Sequence, residues 1–224
     1  MKVYRIDISS WTAGFRYPNV ISGYQPSLVV PPISTVLGLL NACAGKYLMH
    51  ERLSLGYYFS FAAKATDLET IYQVEANKGV AKNQMKSNVI NREFLYDCHL
   101  VLYLKDQELA NLLKKPVYQI LLGRSGDLAT VESICEKDLP EIQNAEKIKG
   151  QIVPFQGNCL PGILQALPKY YTDTIPRKNL GTEAYSVIAC NVSDFSTHLT
   201  AYRDTVDGKE IDIYFHDILI ENDK

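Results

Sequence analysis

The sequence predicts an α+β protein built on a strand–helix–strand–strand–helix–strand plan, followed by a β-rich final third. Three observations carry this. Residues 2–9 alternate apolar and polar side chains, the period of a half-buried strand. A Pro-Pro step at 31–32 opens an apolar stripe at helical spacing. Alternation then returns in 57–65, 70–75 and 94–104, before a short helix at 106–114 and a turn into a strand at 121–131. With one hairpin arm taken as an insertion, the order approaches the β-α-β-β-α-β, ferredoxin-like plan.

Each element has its own reason. Tyr4, Ile6 and Ile8 share one face of the first strand; Val3, Arg5 and Asp7 share the other. Residues 10–31 lack periodicity and hold two glycines and three prolines, so they read as a long loop, a feature that is often functional. Ile33, Val36, Leu37, Leu40, Ala44 and Leu48 then fall on one helical face, with Gly45 near the helix end. Tyr57, Phe59, Phe61 and Ala63 line one side of the next strand, and Asp67–Glu69 reads as a polar turn into the arm 70–75. Periodicity is lost over 77–92. In 94–104, Cys98, Leu100, Leu102 and Leu104 share a face. Residues 132–146 carry five acids and one lysine and read as a solvated loop or helix. Later strands are expected at 185–189, 199–203 and 210–215, with Asp207-Gly208 as a hairpin turn. The expected division is 1–131 for the ferredoxin-like part and 132–224 for the β-rich part packed on it.

Composition narrows the function classes. The chain of 224 residues is 46% hydrophobic and 21% charged, enough for a proper core. A net charge of -2 excludes a general basic coat, so any nucleic-acid site has to be local. Five dispersed cysteines without a C-x-x-C argue against zinc and a disulfide framework and fit a reducing cytosol. The start lacks the apolar core of a signal peptide, and no apolar run is long enough for a membrane span. Fifteen tyrosines suit cores, interfaces and base stacking alike.

Three segments carry candidate chemistry. In 14–45, Arg16 and Tyr17 lie on a loop that feeds a helix N-terminus, where Ser34 and Thr35 add hydroxyls. Helix N-termini favour phosphate, and Tyr17 or Tyr24 can stack on a base. The plainer alternative is a helix packed on a sheet. In 77–92, Lys78, Lys82, Lys86 and Arg92 occur without an acid, among Asn83, Gln84, Asn91 and further amides. Cations neutralise phosphate and amides read base edges, whereas the plainer alternative is a solvated loop. In 121–128, Gly123 and Gly126 flank Arg124 and Ser125, which suits an anion-binding nest or a simple turn.

The combination of a leading strand, F-R-Y-P, V-P-P-I-S-T-V-L-G-L-L, R-E-F-L-Y and L-G-R-S-G-D-L over residues 1–131 resembles the fifth family of CRISPR-associated proteins. These are RAMP-superfamily subunits of type I Cascade complexes, and the R-E-F-L-Y form and the length are similar to the type I-B branch. The resemblance implies a ferredoxin-like domain with an inserted thumb, placed at 77–92. It implies a subunit that binds the crRNA 5′ handle; with no catalytic constellation in the sequence, the expectation is a non-catalytic subunit without a cofactor. Its partners would be the backbone subunit that coats the spacer, the large subunit, and target DNA near the PAM. Carried over by position, Arg16, Tyr17, Ser34 and Thr35 fall at the handle-binding loop and helix start, with Gly123, Arg124 and Ser125 at the turn beside them.

One branch of that family cuts pre-crRNA without metal, using Tyr, Lys and His, so a metal-independent endoribonuclease is the alternative. Here His50, His99, His198 and His216 are dispersed, with no Lys-His pair and no metal-ligand spacing. Cys98 and His99 are neighbours, so on a strand they face opposite ways. A pure protein-interaction subunit is the third reading, and steep salt dependence of RNA binding separates it from the first.

Overall fold

The computed structural model describes residues 1–18, 20, 23–48, 53–82, 86–155 and 160–219. Strands dominate, with two helices among the described residues. In chain order the main elements are β1 (Lys2–Ala13), α1 (Ile33–Ala44), β2 (Leu53–Gln73), β3 (Lys86–Leu104), α2 (Gln107–Leu112) and β4 (Ala129–Asp138). The smaller strands β5 (Gln151–Pro154), β6 (Ile163–Pro168), β7 (Thr182–Ile188), β8 (Ala201–Val206), β9 (Lys209–Ile213) and β10 (Phe215–Ile218) follow. The main sheet has the order β4-β1-β3-β2-β10, antiparallel throughout. The short segment Tyr24–Gln25 adds a parallel pairing to β3 beyond the end of β1.

Both faces of this sheet are covered in part. Ile6, Ile8, Tyr57, Phe59, Cys98, Leu100 and Leu102 meet Ile33, Val36, Leu37 and Leu40 of α1 in the larger core. On the opposite face, Val3, Tyr58, Val101 and Tyr103 pack under the β8–β9 hairpin through Val206, Ile211 and Ile213. The alternation read from the sequence assigns these faces correctly in β1, β2 and β3. A polar contact fixes the hairpin on the sheet: Tyr103 donates to Asp204 at 2.9 Å, and Arg5 donates to the same carboxylate at 3.0 Å. The Asp207-Gly208 turn closes that hairpin, with Val206 paired to Lys209 and both turn residues at positive φ.

Helix α1 starts where the Pro-Pro step predicts. Pro32 is the N-cap, and its carbonyl accepts from Thr35 and Val36. Buried Tyr57 donates to the Pro31 carbonyl at 2.8 Å, tying the helix entry to the sheet. The helix ends at Gly45, whose φ of 68° and close neighbour Val117 leave no room for a Cβ. Leu48 lies beyond the helix but still packs on its core.

Four expectations change. The strand at the start runs on to Ala13, and the loop after it contains a short ladder of Phe15–Arg16 with Ser27–Leu28. Residues 57–65 and 70–75 are not hairpin partners, and Asp67–Glu69 is not a turn. Residues 57–73 all belong to β2, whose partner is β3, in register from Leu55–Leu104 to Gln73–Lys86, and 74–75 lie past its end. The acids sit mid-strand because the ribbon is solvated there and Arg92 lies opposite Asp67. Residues 86–92 are strand rather than patternless loop, because, Ile90 apart, they lie on a largely exposed ribbon and carry no burial period. Residues 132–138 continue β4 at the sheet edge, where charged side chains suit an open edge.

Beyond the Phe61–Cys98 pair the β2–β3 ribbon leaves the core. Eleven residue pairs, from Ala63–Tyr96 to Gln73–Lys86, extend it by about 35 Å at ~3.3 Å per residue. Most of its side chains are exposed. A small ladder of Ala76–Asn77 with Val80–Ala81 turns through Lys78 and Gly79, both at positive φ.

Candidate nucleic-acid interface

The first part of the site is made by three backbone segments meeting. Phe15 is buried edge-on against Phe59, so strand alternation turns Arg16 outward. The Gly14 N–H donates to the Leu122 carbonyl at 3.0 Å, placing the loop against the 121–128 turn. Gly123 has φ +110°, and a Cβ there would stand 2.0 Å from the Gly14 carbonyl oxygen. The two segments touch backbone to backbone, which explains the glycine.

The 121–128 turn supplies its own anion. Asp127 is 1% exposed. Its carboxylate accepts from the Arg124 N–H at 3.0 Å, from the Arg124 guanidinium at 2.9–3.3 Å, and from the Thr12 hydroxyl at 2.7 Å. Arg124 also lies over the Phe94 ring at 5.3 Å. The hydrogen bond to Asp127 holds its pKa above the ordinary value, although burial works the other way. The nest expected for an external phosphate at 123–125 is therefore occupied from within, and Arg124 builds the turn. Ser125 is exposed beside it.

A groove crosses α1 on the side away from the core. One half, about 560 Å³, is lined by Arg16, Ser34, Thr35, Gly123, Tyr171 and Arg177 among others. The other half, about 390 Å³, shares Ser34, Gly38, Ala42, Tyr171 and Arg177 and continues to Lys46, Tyr47 and Tyr118. Four residues singled out in the sequence thus converge: Arg16, Ser34, Thr35 and Gly123. Arg16 is exposed and has no ion-pair partner among the described residues. The groove lining holds three cations (Arg16, Lys46, Arg177) and one acid, Asp173, which gives it local positive character in an acidic chain.

The sequence reading missed Tyr118, Tyr171 and Arg177. They come from loops more than 70 positions from α1 and carry no local pattern; the run I-P-R-K at 175–178 was the available hint.

The remaining tyrosines sit at the ribbon root. Tyr17 is half-buried, and burial followed by the nearby Glu93 charge raises its pKa. Tyr24 is 46% exposed and donates to Glu93 at 2.5 Å. Burial works against ionisation of Glu93, but bonds from Tyr24, the Ser27 N–H and Lys64 keep its pKa below the usual carboxylate range. Arg16, Arg92 and Arg124 line one small cleft here with Glu93, so three separate sequence segments meet.

Along the ribbon the cations are less free than local sequence suggests. Arg92 contacts Glu69 at 2.8 Å, though its Nε is not aligned for a hydrogen bond, and Lys82 pairs with Glu75 at 2.9 Å. The compensating acids lie on the opposite strand and its end, invisible to a local count. Lys78, Lys86 and Asn91 are exposed, whereas Asn83 and Gln84 lie outside the described residues. Leu68, Tyr72 and Val89 are also exposed, at 64%, 64% and 51%. No group of three or more potential metal ligands exists among the described residues, and none of their helices is long and apolar enough to cross a membrane.

No protein-family model matches the chain, and no curated protein matches it in sequence. Its fold does match solved structures. A chain of a CRISPR RNA-guided surveillance complex is 14% identical with a TM-score of 0.56, covering 87% of this chain and 91% of that one. A chain of a type III-B Cmr-beta complex bound to cognate target RNA is 10% identical with a TM-score of 0.52, covering 86% of each. A second Cmr-beta structure, with target RNA and AMPPnP, gives 9% identity and a TM-score of 0.53, covering 88% and 86%. At these identities the likeness is one of fold: this chain has an architecture that occurs among the subunits of CRISPR effector complexes.

Proposed function

We propose that the chain is a non-catalytic RNA-binding subunit of a type I Cascade effector, of the fifth family of CRISPR-associated proteins, seated on the crRNA 5′ handle. The sheet order β4-β1-β3-β2 with α1 and α2 as crossovers corresponds to the ferredoxin-like plan, and the β2–β3 ribbon takes the part of the thumb. The observation that carries the reading is the groove over α1, where Arg16, without an ion-pair partner among the described residues, meets the first helical turn and a second arginine. A helix N-terminus with guanidinium groups beside it favours phosphate. The backbone subunit, the large subunit and target DNA near the PAM are the partners this reading assigns, with the exposed ribbon and its Leu68, Tyr72 and Val89 as the surface offered to them.

The test uses a labelled handle RNA and filter binding over a range of salt. Arg16→Ala weakens binding about tenfold or more, the scale of one charge-assisted contact, and flattens the salt dependence. Lys46→Ala, at the other end of the helix, costs less. Equal affinities for the two variants remove the case for a phosphate site at the helix start.

One observation favours the endoribonuclease reading. Lys169, Tyr185 and His216, far apart in sequence, line a common cleft of about 280 Å³. Their polar groups are largely used internally: Lys169 and Tyr185 both bind Glu183, at 3.2 and 3.0 Å, and His216 is enclosed by aromatic rings. Single-site cleavage of repeat RNA that survives EDTA and is lost in Lys169→Ala would select this reading instead.

A further inference from the structure

The groove has a second half whose chemistry differs from the Arg16 end. Around the C-terminal half of α1 its floor is made by small residues; Gly38 is exposed, and a Cβ there would meet nothing within 4 Å. Its walls are tied down. Val117 and Tyr118 donate their N–H groups to the Cys43 and Ala42 carbonyls, each at 3.0 Å, so the last turn of the helix holds the Tyr118 backbone in place. Asn41 donates to the Tyr170 hydroxyl at 2.6 Å and accepts from the Leu48 N–H at 3.0 Å, while Tyr170 donates to the Leu48 carbonyl. Tyr47 and Tyr170 stack on each other at 5.0 Å. Those two rings serve the wall itself. Tyr118 and Tyr171, 62% and 37% exposed, keep ring surface for a ligand.

We infer that this recess takes one nucleobase, splayed out of a single-stranded RNA whose phosphates run toward Arg16 and Arg177. The inference rests on the RNA-binding reading above and specifies what its second half holds. Volume fits: about 390 Å³ lies at the lower end of the ~300–1,000 Å³ of small-molecule sites. The helix dipole separates the two halves, although Arg177 lines both and the recess adds Lys46 and Asp173, whose charges offset. The N-terminal end of α1, near Ser34 and Thr35, favours negative charge, whereas the C-terminal end around Ala42–Gly45 disfavours it. A neutral aromatic base suits the second position and a phosphate suits the first. The bonded walls mean that little side-chain freedom has to be lost on binding, apart from that of Tyr118 and Tyr171.

The test measures fluorescence anisotropy of the intact chain with a 3′-labelled single-stranded RNA of about twelve nucleotides, a length able to follow the whole groove. Tyr118→Ala and Tyr171→Ala each weaken binding by about tenfold, the scale of one lost base stack, with an unchanged salt slope because no phosphate contact is removed. The Tyr→Phe variants bind like the parent, and circular dichroism confirms that all four are folded. Three results would overturn the inference. The alanine variants bind like the parent while Arg16→Ala weakens: the recess holds no base, and the groove reading survives. The phenylalanine variants lose as much as the alanine ones: the hydroxyls act, not the rings. The alanine variants flatten the salt slope: the recess holds phosphate. If Arg16→Ala also binds like the parent, the groove reading itself falls.

Discussion

Gly123→Ala separates two glycines that look equivalent in L-G-R-S-G-D-L. At 123 the backbone has φ +110°, a region that an alanine avoids at a cost of roughly 1–2 kcal/mol or more. The new methyl would also stand 2.0 Å from the Gly14 oxygen and 2.8 Å from the Gly14 carbonyl carbon. Both are backbone atoms, so no rotamer relieves the contact. Moving the Gly14 segment away strains or breaks its bond to Leu122, worth about 0.5–1.5 kcal/mol. The sum is roughly 2–4 kcal/mol, which at ~2–4 °C per kcal/mol for a chain of this size lowers Tm by about 5–15 °C. Gly126 has no neighbour within 4 Å of a Cβ and no positive φ, so Gly126→Ala stays within about 0.5 kcal/mol. Thermal unfolding followed by circular dichroism reads both. Because Arg16 lies two residues from Gly14, RNA affinity falls in Gly123→Ala as well, measured well below its Tm. A Tm for Gly123→Ala within 2 °C of that for Gly126→Ala would refute the close approach and the account of Arg16 placement built on it.

Two further outcomes follow from the fold. Burial lowers the pKa of His216 from 6.5 to about 4, against weaker opposing effects of an Ile152 backbone bond and Asp217. The unfolded chain therefore binds more protons below pH 6.5, and stability falls as pH drops from there toward 4. For this one group the loss between pH 7 and pH 5 is about 2 kcal/mol. Urea unfolding of the parent and of His216→Phe at both pH values should show that difference in slope, and parallel losses would mean that His216 is not held neutral. Replacing residues 71–88 by Asn-Gly closes the ribbon on the Thr70–Val89 pair and leaves both cores untouched. Tm should change by no more than about 3 °C, since the removed described residues are largely exposed. A variant that does not fold would make the ribbon part of the core.

Legibility followed burial. Where one face of an element is covered, as with Ile6 and Ile8 in β1 or Val36, Leu37 and Leu40 in α1, the apolar period reports the face and the element. The Pro31-Pro32 entry and the Asp207-Gly208 turn were legible for conformational reasons that hold at any position. The ribbon was not, because residues 62–82 are solvated on both sides, so nothing in their pattern distinguishes strand from loop. Pairing was misread there for the same reason: Asp67 and Glu69 look like a turn until Arg92 is found opposite. In the groove, Arg16, Ser34, Thr35 and Gly123 could be grouped from the sequence because they sit in or against one short stretch at the helix start. Arg124 was assigned outward because its partner Asp127 looks no different in sequence from a surface acid. Tyr118, Tyr171 and Arg177 reach the groove only through the tertiary fold.

Pairing of β10 with β2 also sets a schedule. Leu53 waits for Ile218 and Gly56 for Phe215, so one margin of the main sheet is sealed by a segment made about 160 residues later. At typical synthesis rates of ~5–20 residues per second, that margin stands open on the ribosome for roughly 8–30 seconds. An open strand margin is a template for pairing with other chains. Leu53 and Leu55 are buried in the finished protein and would be the apolar part of it. Expression fragments that stop short of Phe215 therefore expose a sticky margin rather than simply losing a tail, and aggregation of such fragments is a property of the sheet, not of the missing residues.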